Sequence, residues 1–312
     1  MKIKSILKVA SIAIVILVII SFIGGGVMLK VALKPEISTM QESREYMCKQ
    51  YPYISNWLDS VEANGYLRDT SIINNKGKRL TAKYMPAQAK TNKTAVILHG
   101  YTDDAYRIIQ LGYMYNNNLG YNILIPNHQY HGGSEGKNIQ MGWKDRLDVL
   151  LWMDVANNIF NSQMLVHGIS MGGATTMMLS GETPRPYLKC LIEDCGYTSV
   201  WDQFQKELKE DFGLPPFPIL YTADILCQIL YGWGFKEASA LKQVKKCTLP
   251  MFFIHGTADK YVPTWMVHPL YEAHQNEKEL WLVKDAAHAK SYKNNPAEYT
   301  QRIRKFTEKY IK

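Results

Sequence analysis

No acidic residue precedes Glu36, and from Val9 to Leu29 there is no charge of either sign. Lys2, Lys4, Lys8, Lys30 and Lys34 therefore carry most of the net charge of +8, leaving the rest of the chain only mildly basic. Nucleic-acid binding calls for a clustered basic face with aromatic platforms. No such cluster occurs, and Arg302, Arg304, Lys305, Lys309 and Lys312 read as the solvated face of a last helix. Cysteine is scarce and odd in number. Cys48, Cys190, Cys195, Cys227 and Cys247 lack metal-ligand spacing, and at least one is unpaired within a monomer. Buried free thiols are the expected state. There is no internal repeat and no low-complexity tract.

What is there is 312 residues, 46% hydrophobic and 21% charged, enough for one large α/β domain or two smaller ones. As a helix the uncharged stretch of Val9–Leu29 rises about 31 Å, the thickness of a bilayer's hydrocarbon. A cleaved signal peptide wants a shorter run and a small-x-small site. Gly24-Gly25-Gly26 offers small residues, but Val27-Met28-Leu29 prolongs the run, so an uncleaved single-pass anchor is expected, with secretion after cleavage as the alternative. Lys2, Lys4 and Lys8 outweigh Lys30 and Lys34, which places the start in the cytoplasm and the bulk of the chain outside.

Residues 1–34 thus form a stub and anchor, 35–70 a helical lead-in broken at Tyr51-Pro52-Tyr53, and 71–312 the catalytic domain. Ser71-Ile72-Ile73 and Leu80–Tyr84 flank Asn74-Asn75-Lys76-Gly77-Lys78, a hairpin signal. Short apolar runs at Ala95–Leu98, Asn122–Ile125, Met164–Val166, Leu191-Ile192, Met251–Ile254 and Leu280–Val283 then alternate with helical stretches, notably Trp143–Ile159 and Ala297–Ile311. That alternation predicts a mostly parallel sheet covered by helices on both faces. The chain between Asp194 and Met251 is far longer than a crossover needs. Helices near Val200–Glu210, Ile219–Tyr231 and Glu237–Gln243 make a small helical cap of about 197–247 there; extra helices packed on the side are the alternative.

Met164-Leu165-Val166-His167-Gly168-Ile169-Ser170-Met171-Gly172-Gly173 is the stretch with most chemistry. By composition Gly-x-Ser-x-Gly arises by chance in about one chain in ten of this length, so the letters alone decide little. Here a strand precedes it and a helix follows, the setting of a nucleophile elbow. Ser170 would sit on a strained turn, with Gly168 and Gly172 where side chains would collide with the crossing strand and helix. A serine needs a base, and the base an orienting acid. Asp259 follows the run ending at Ile254, and His288 follows the run ending at Val283. Both fall on the sheet edge that carries Ser170. Asp194 is the rival acid; Asp103, Asp104 and Asp285 read as loop or capping groups. His99, His131, His167 and His255 read as structural groups near strand ends, and His128, His268 and His274 as surface residues. The oxyanion donors would be the backbone N–H groups of Met171 and Tyr101, with Gly100 letting the backbone approach a substrate.

With Leu98-His99-Gly100-Tyr101, Gly168-Ile169-Ser170-Met171-Gly172-Gly173, His255-Gly256-Thr257-Ala258-Asp259 and Ala287-His288 in order, the chain resembles the α/β-hydrolase superfamily over roughly residues 70–312. Within it, it resembles bacterial membrane-anchored or secreted hydrolases grouped with serine aminopeptidase-like and Bem46-like enzymes. The resemblance implies an α/β-hydrolase fold with an eight-stranded sheet and a Ser170, Asp259, His288 triad. It also implies a Tyr101/Met171 oxyanion hole and no metal or organic cofactor. Such families carry Asp-x-Arg-Gly-x-Gly-x-Ser, where this chain has Asn127-His128-Gln129-Tyr130-His131-Gly132-Gly133-Ser134. Loss of that ion pair predicts different loop packing. The expected function is a serine carboxylesterase on small-to-medium acyl esters, with aminopeptidase, thioesterase or lipase as alternatives. A non-catalytic ligand-binding module is the rival from another class, disfavoured because a receptor needs no complete Ser, Asp and His set. The expected partners are a small ester or amide substrate and the membrane.

Overall fold

The structure is a computed structural model describing residues 2–312; Met1, the first residue of the expected cytoplasmic stub, lies outside the described residues. Eight strands form one sheet among the described residues: β1 (Arg68–Ile73), β2 (Arg79–Met85), β3 (Lys93–Leu98), β4 (Asn122–Pro126), β5 (Gln163–Ile169), β6 (Leu188–Asp194), β7 (Met251–Gly256) and β8 (Lys278–Val283). Their order is β1-β2-β4-β3-β5-β6-β7-β8. β1 and β2 form the expected antiparallel hairpin, β2 also pairs antiparallel with β4, and every later neighbour is parallel. Asn74 makes that turn: its side-chain oxygen accepts the Lys76 and Lys78 N–H groups, and Gly77 has φ +73°.

The helices are α1 (Lys2–Leu33), α2 (Met40–Gln50), α3 (Pro52–Ala63), α4 (Ile109–Tyr113), α5 (Asp145–Phe160), α6 (Met171–Leu179), α7 (Val200–Phe212), α8 (Ile219–Tyr231), α9 (Ala240–Val244), α10 (Val267–Ala273), α11 (Ser291–Asn294) and α12 (Pro296–Thr307). Alternate residues of a strand point to opposite faces. Phe252 accordingly meets Phe306 of α12 with ring centroids 5.3 Å apart, while Phe253 meets Tyr271 of α10 at 5.7 Å. The apolar runs of the inner strands are buried on both faces because helices cover both, so they read as continuous rather than alternating, while the edge strand β8 leaves Leu282 exposed. α9 starts at Ala240, later than expected, because the Ser239 hydroxyl caps it by accepting the Lys242 N–H.

The chain divides into two compact units. The larger, Glu36–Thr198 with Ser239–Lys312, contains the sheet. The smaller joins the N-terminal segment through Pro35 to Ser199–Ala238. Within it α1 packs on α8: the Thr222 hydroxyl donates to the Ser21 carbonyl at 2.7 Å. α1 contains a 28-residue stretch, Ile6–Leu33, long and apolar enough to cross a membrane. Four of the five free cysteines are buried; Cys48 is half-buried.

Two surface expectations are overturned. His128 is buried with its ring 4.4 Å from that of His99, and its backbone N–H donates to His99 Nε2. His274 is fully buried, its ring bonded to the Leu249 carbonyl and the Asn276 N–H. The His274 ring finds backbone partners that compensate burial, and the His128 ring packs against that of His99; sequence position reveals neither. His268 is exposed as expected.

Candidate active site

β5 delivers Ser170 onto the turn into α6, with φ 59° and ψ −119°, a strained conformation for any residue but glycine. Its N–H is anchored on the Asp194 carbonyl at 2.8 Å. A side chain at Gly168 would run into the Gly172 backbone, and one at Gly172 into the Leu98 carbonyl of β3. The crossing of helix over strand is that tight, and only glycine fits both positions.

The parallel strands β5, β7 and β8 end at one edge of the sheet, so the loops after them meet. Asp259 lies past β7, and its Oδ1 accepts the Tyr261 and Val262 N–H groups at 2.9 Å each. That leaves Oδ2 for His288, whose Nδ1–H donates to it at 2.7 Å. His288 Nε2 in turn accepts the Ser170 hydroxyl at 2.8 Å. Burial pushes the Asp259 carboxyl up, but hydrogen bonds from His255 and His288 outweigh it and hold Asp259 down at about 2. A carboxylate so held stays ionised throughout the neutral range.

Asp194, the rival acid, accepts from the Ser291 and Tyr299 hydroxyls. Burial raises its carboxyl to about 6 and that of neighbouring Glu193 to about 8. Glu193 accepts the Gly196 N–H through one oxygen, while the other, buried, has no hydrogen-bond partner. The Tyr101 loop abuts the serine: a Cβ on Gly100 would lie 3.6 Å from that of Ser170. Met171 opens α6, where first-turn N–H groups have no intrahelical acceptor. Beside this edge is a cavity of about 130 Å³ whose lining includes Gly100, Ile169, Ala289, Asp103, Arg107 and Lys290.

Three neighbours of the site carried no signal of that role in the sequence. His255 donates through Nε2 to the Val262 carbonyl and stands 3.5 Å from Asp259 Oδ2. The Tyr261 ring lies 4.9 Å from that of His288. Cys195, at φ +50°, brings its thiol within 4.8 Å of both Asp259 and His288, a donor set that could hold a metal ion. The same Asp259 and His288 atoms are already paired with each other, which a metal would have to disrupt.

Asn127 explains the departure from the Asp-x-Arg pattern. Its amide donates to the Thr81 hydroxyl and the Gly132 carbonyl, and its oxygen accepts the Ala105 N–H. One neutral side chain ties together segments an ion pair would otherwise hold. His99, His128 and His131 cluster beside it, and burial pushes all three well down, His128 to about 3 and His131 to about 4.

A sequence profile of the prolyl oligopeptidase family matches residues 118–312. The chain belongs to that family. It is a serine hydrolase of the α/β-hydrolase fold, whose structural relatives include esterases and peptidases. The uncharacterized protein YqkD of Bacillus subtilis is 29% identical over 72% of this chain and 73% of its own length. The fold is similar to that of the Pyrococcus furiosus esterase Pf2001, with TM-score 0.66 and 22% identity over 81% of this chain and 96% of that one. It is also similar to a Pyrococcus horikoshii acylaminoacyl peptidase, with TM-score 0.58 and 17% identity over 78% of this chain and 40% of that one.

Proposed function

We propose that this prolyl oligopeptidase family member is a carboxylesterase on small-to-medium acyl esters that works through Ser170, His288 and Asp259. The observation that carries the reading is the unbroken line of hydrogen bonds from Ser170 Oγ through His288 to Asp259. Ser170 attacks the ester carbonyl as His288 Nε2 takes its proton, and ionised Asp259 stabilises the resulting imidazolium. The Met171 and Tyr101 N–H groups receive the oxyanion. His288 then protonates the departing alkoxide, and water repeats the sequence on the acyl-enzyme.

Two observations favour esters over peptides. Capture of a free amino terminus wants available acidic groups in the inserted segment. Of Glu207, Glu210, Asp211 and Asp224, Asp224 is buried on the Phe235 N–H, Glu210 pairs with Lys206 and Glu207 accepts from Gln203, while Asp211 is exposed. This chain also matches nearly all of the esterase but well under half of the peptidase. For α1 we propose a retained membrane anchor, with Lys2, Lys4 and Lys8 on the cytoplasmic side and the catalytic unit outside.

The test is turnover of p-nitrophenyl acetate and butyrate beside aminoacyl amides and acyl thioesters. Esters should be the best substrates by kcat/KM, and Ser170→Ala should abolish their hydrolysis with the fold intact. Unchanged turnover in Ser170→Ala refutes the nucleophile; amides turned over faster than esters refute the esterase reading.

A further inference from the structure

The cavity beside the serine edge is walled by neighbours of each part of the proposed machinery. Gly100 precedes Tyr101, Ile169 precedes Ser170 and Ala289 follows His288, and all three line it. Every lining residue belongs to the larger unit. Met47, Ile108 and Ile169, all buried, give it an apolar wall. Its volume of about 130 Å³ is a fraction of what a drug-sized ligand fills, so it suits a short chain.

Two cations line the same space, Arg107 and Lys290, against one acid, Asp103. The Arg107 guanidinium carbon sits 3.9 Å from the Tyr46 ring centroid, a contact that holds the group in place. Its hold on Asp103 is loose: Nε stands 3.4 Å from Oδ1, and that buried Nε has no hydrogen-bond partner. Burial pushes the Asp103 carboxyl up to about 7 against the pull of Arg107 and Lys290, so at neutral pH it offsets only part of one positive charge. Asp104, the next acid, does not line the cavity, and its Oδ1 accepts the Tyr106 and Arg107 N–H groups. Lys293 donates to the side chain of Gln50, another lining residue, and adds a third cation behind the wall. Asp103 Oδ2 lies 2.8 Å from where a Gly100 Cβ would be, a position itself 3.6 Å from Ser170 Cβ. The charged wall therefore begins beside the nucleophile.

Resting on the esterase reading, we propose that this cavity is an anion-selective subsite. The preferred substrates are esters that carry a free carboxylate, held by Arg107 and Lys290 while Ser170 attacks the ester carbonyl. A guanidinium offers a carboxylate parallel N–H groups, and a lysine adds a point charge. A neutral ester would cover both cations and leave them unpaired, whereas a carboxylate compensates them. The short chain between ester and carboxylate lies on the apolar wall. Asp103 works in the opposite sense and weakens the hold on an anion. The reaction remains ester hydrolysis, and the carboxylate leaves unchanged on whichever half carries it.

Two matched pairs of esters, followed by pH-stat on the full-length protein in detergent, test the subsite and locate the charge. Monoethyl glutarate against ethyl valerate puts the carboxylate on the acyl half. γ-Acetoxybutyrate against butyl acetate puts it on the departing half. In at least one pair the charged member should exceed its neutral partner in kcat/KM by about tenfold or more, the scale of a hydrogen bond to a charged group. Arg107→Gln combined with Lys290→Met should bring that ratio to unity, with neutral-ester turnover confirming a folded site. Lys290→Met alone should lower the ratio severalfold, which keeps the test open if the double variant does not fold. Asp103→Asn should raise the ratio, an effect that a merely structural role for these side chains would not produce. Charged esters no better than neutral ones, with the neutral ones turned over, overturn the subsite alone. A ratio that survives loss of both cations overturns its placement in this cavity. No turnover of any ester overturns the esterase reading and the substrate class together.

Discussion

Replacing Asp259 by Asn keeps the shape of the side chain and removes the charge that orients His288. The structure determines which way the amide must turn. Oδ1 accepts two backbone N–H groups, from Tyr261 and Val262, so the amide oxygen has to stay there. The NH2 then occupies the Oδ2 position, 2.7 Å from His288 Nδ1, where a proton now points at a proton. The ring relieves the clash by taking the other tautomer, with Nδ1 accepting from the new amide and Nε2 carrying the hydrogen. Nε2 then donates to the Ser170 hydroxyl instead of accepting from it, and the base is lost. Wrong-tautomer losses in serine hydrolases run to about 10³–10⁴ in kcat, or about 4–5.5 kcal/mol at 1.36 kcal/mol per decade. The assay is kcat on p-nitrophenyl butyrate together with the rate of fluorophosphonate labelling of Ser170, both referred to the thermal midpoint. A loss below tenfold in a folded Asp259→Asn variant would refute the proposed role of this carboxylate.

Gly172→Ala should cost about 2–4 kcal/mol, because the new methyl meets the Leu98 carbonyl and neither backbone can yield cheaply; a thermal midpoint equal to wild type would contradict that packing. Glu193 is raised by burial to about 8, so the folded chain holds a proton that the unfolded chain releases near pH 4. Its contribution to stability therefore declines as pH rises from about 4 to 8. Glu193→Gln should flatten the fall of the midpoint over that window, and parallel curves for the two proteins would count against it. In the native state one thiol, Cys48, should react promptly with Ellman's reagent, and all five after denaturation. Fewer than five after denaturation without reductant would reveal a disulfide.

Periodic local signals were legible in the sequence. Each short apolar run became a strand, Ile219–Tyr231 became α8 with those ends, and Asn74–Lys78 became the hairpin turn. These features depend on neighbours within a few residues, so the chain states them directly. The placement of Ser170, Asp259 and His288 just beyond strand ends was equally local, and parallel topology brings such positions together without further adjustment. Tertiary structure decided everything that depended on who sits opposite. Asp259 rather than Asp194 receives His288 because Ser291 and Tyr299 already occupy Asp194. His274 is buried because the Leu249 carbonyl satisfies its ring, His128 because its ring packs against that of His99, and Asn127 replaces an ion pair because Thr81 and Gly132 arrive within reach of its amide. The Gly24–Gly26 run, ambiguous in the sequence as a signal-peptide end or part of an anchor, acquires a seat on α8 nearly two hundred residues away. Strand and helix follow from short-range periodicity; partners across the fold are set by three-dimensional packing, which no local window of sequence contains.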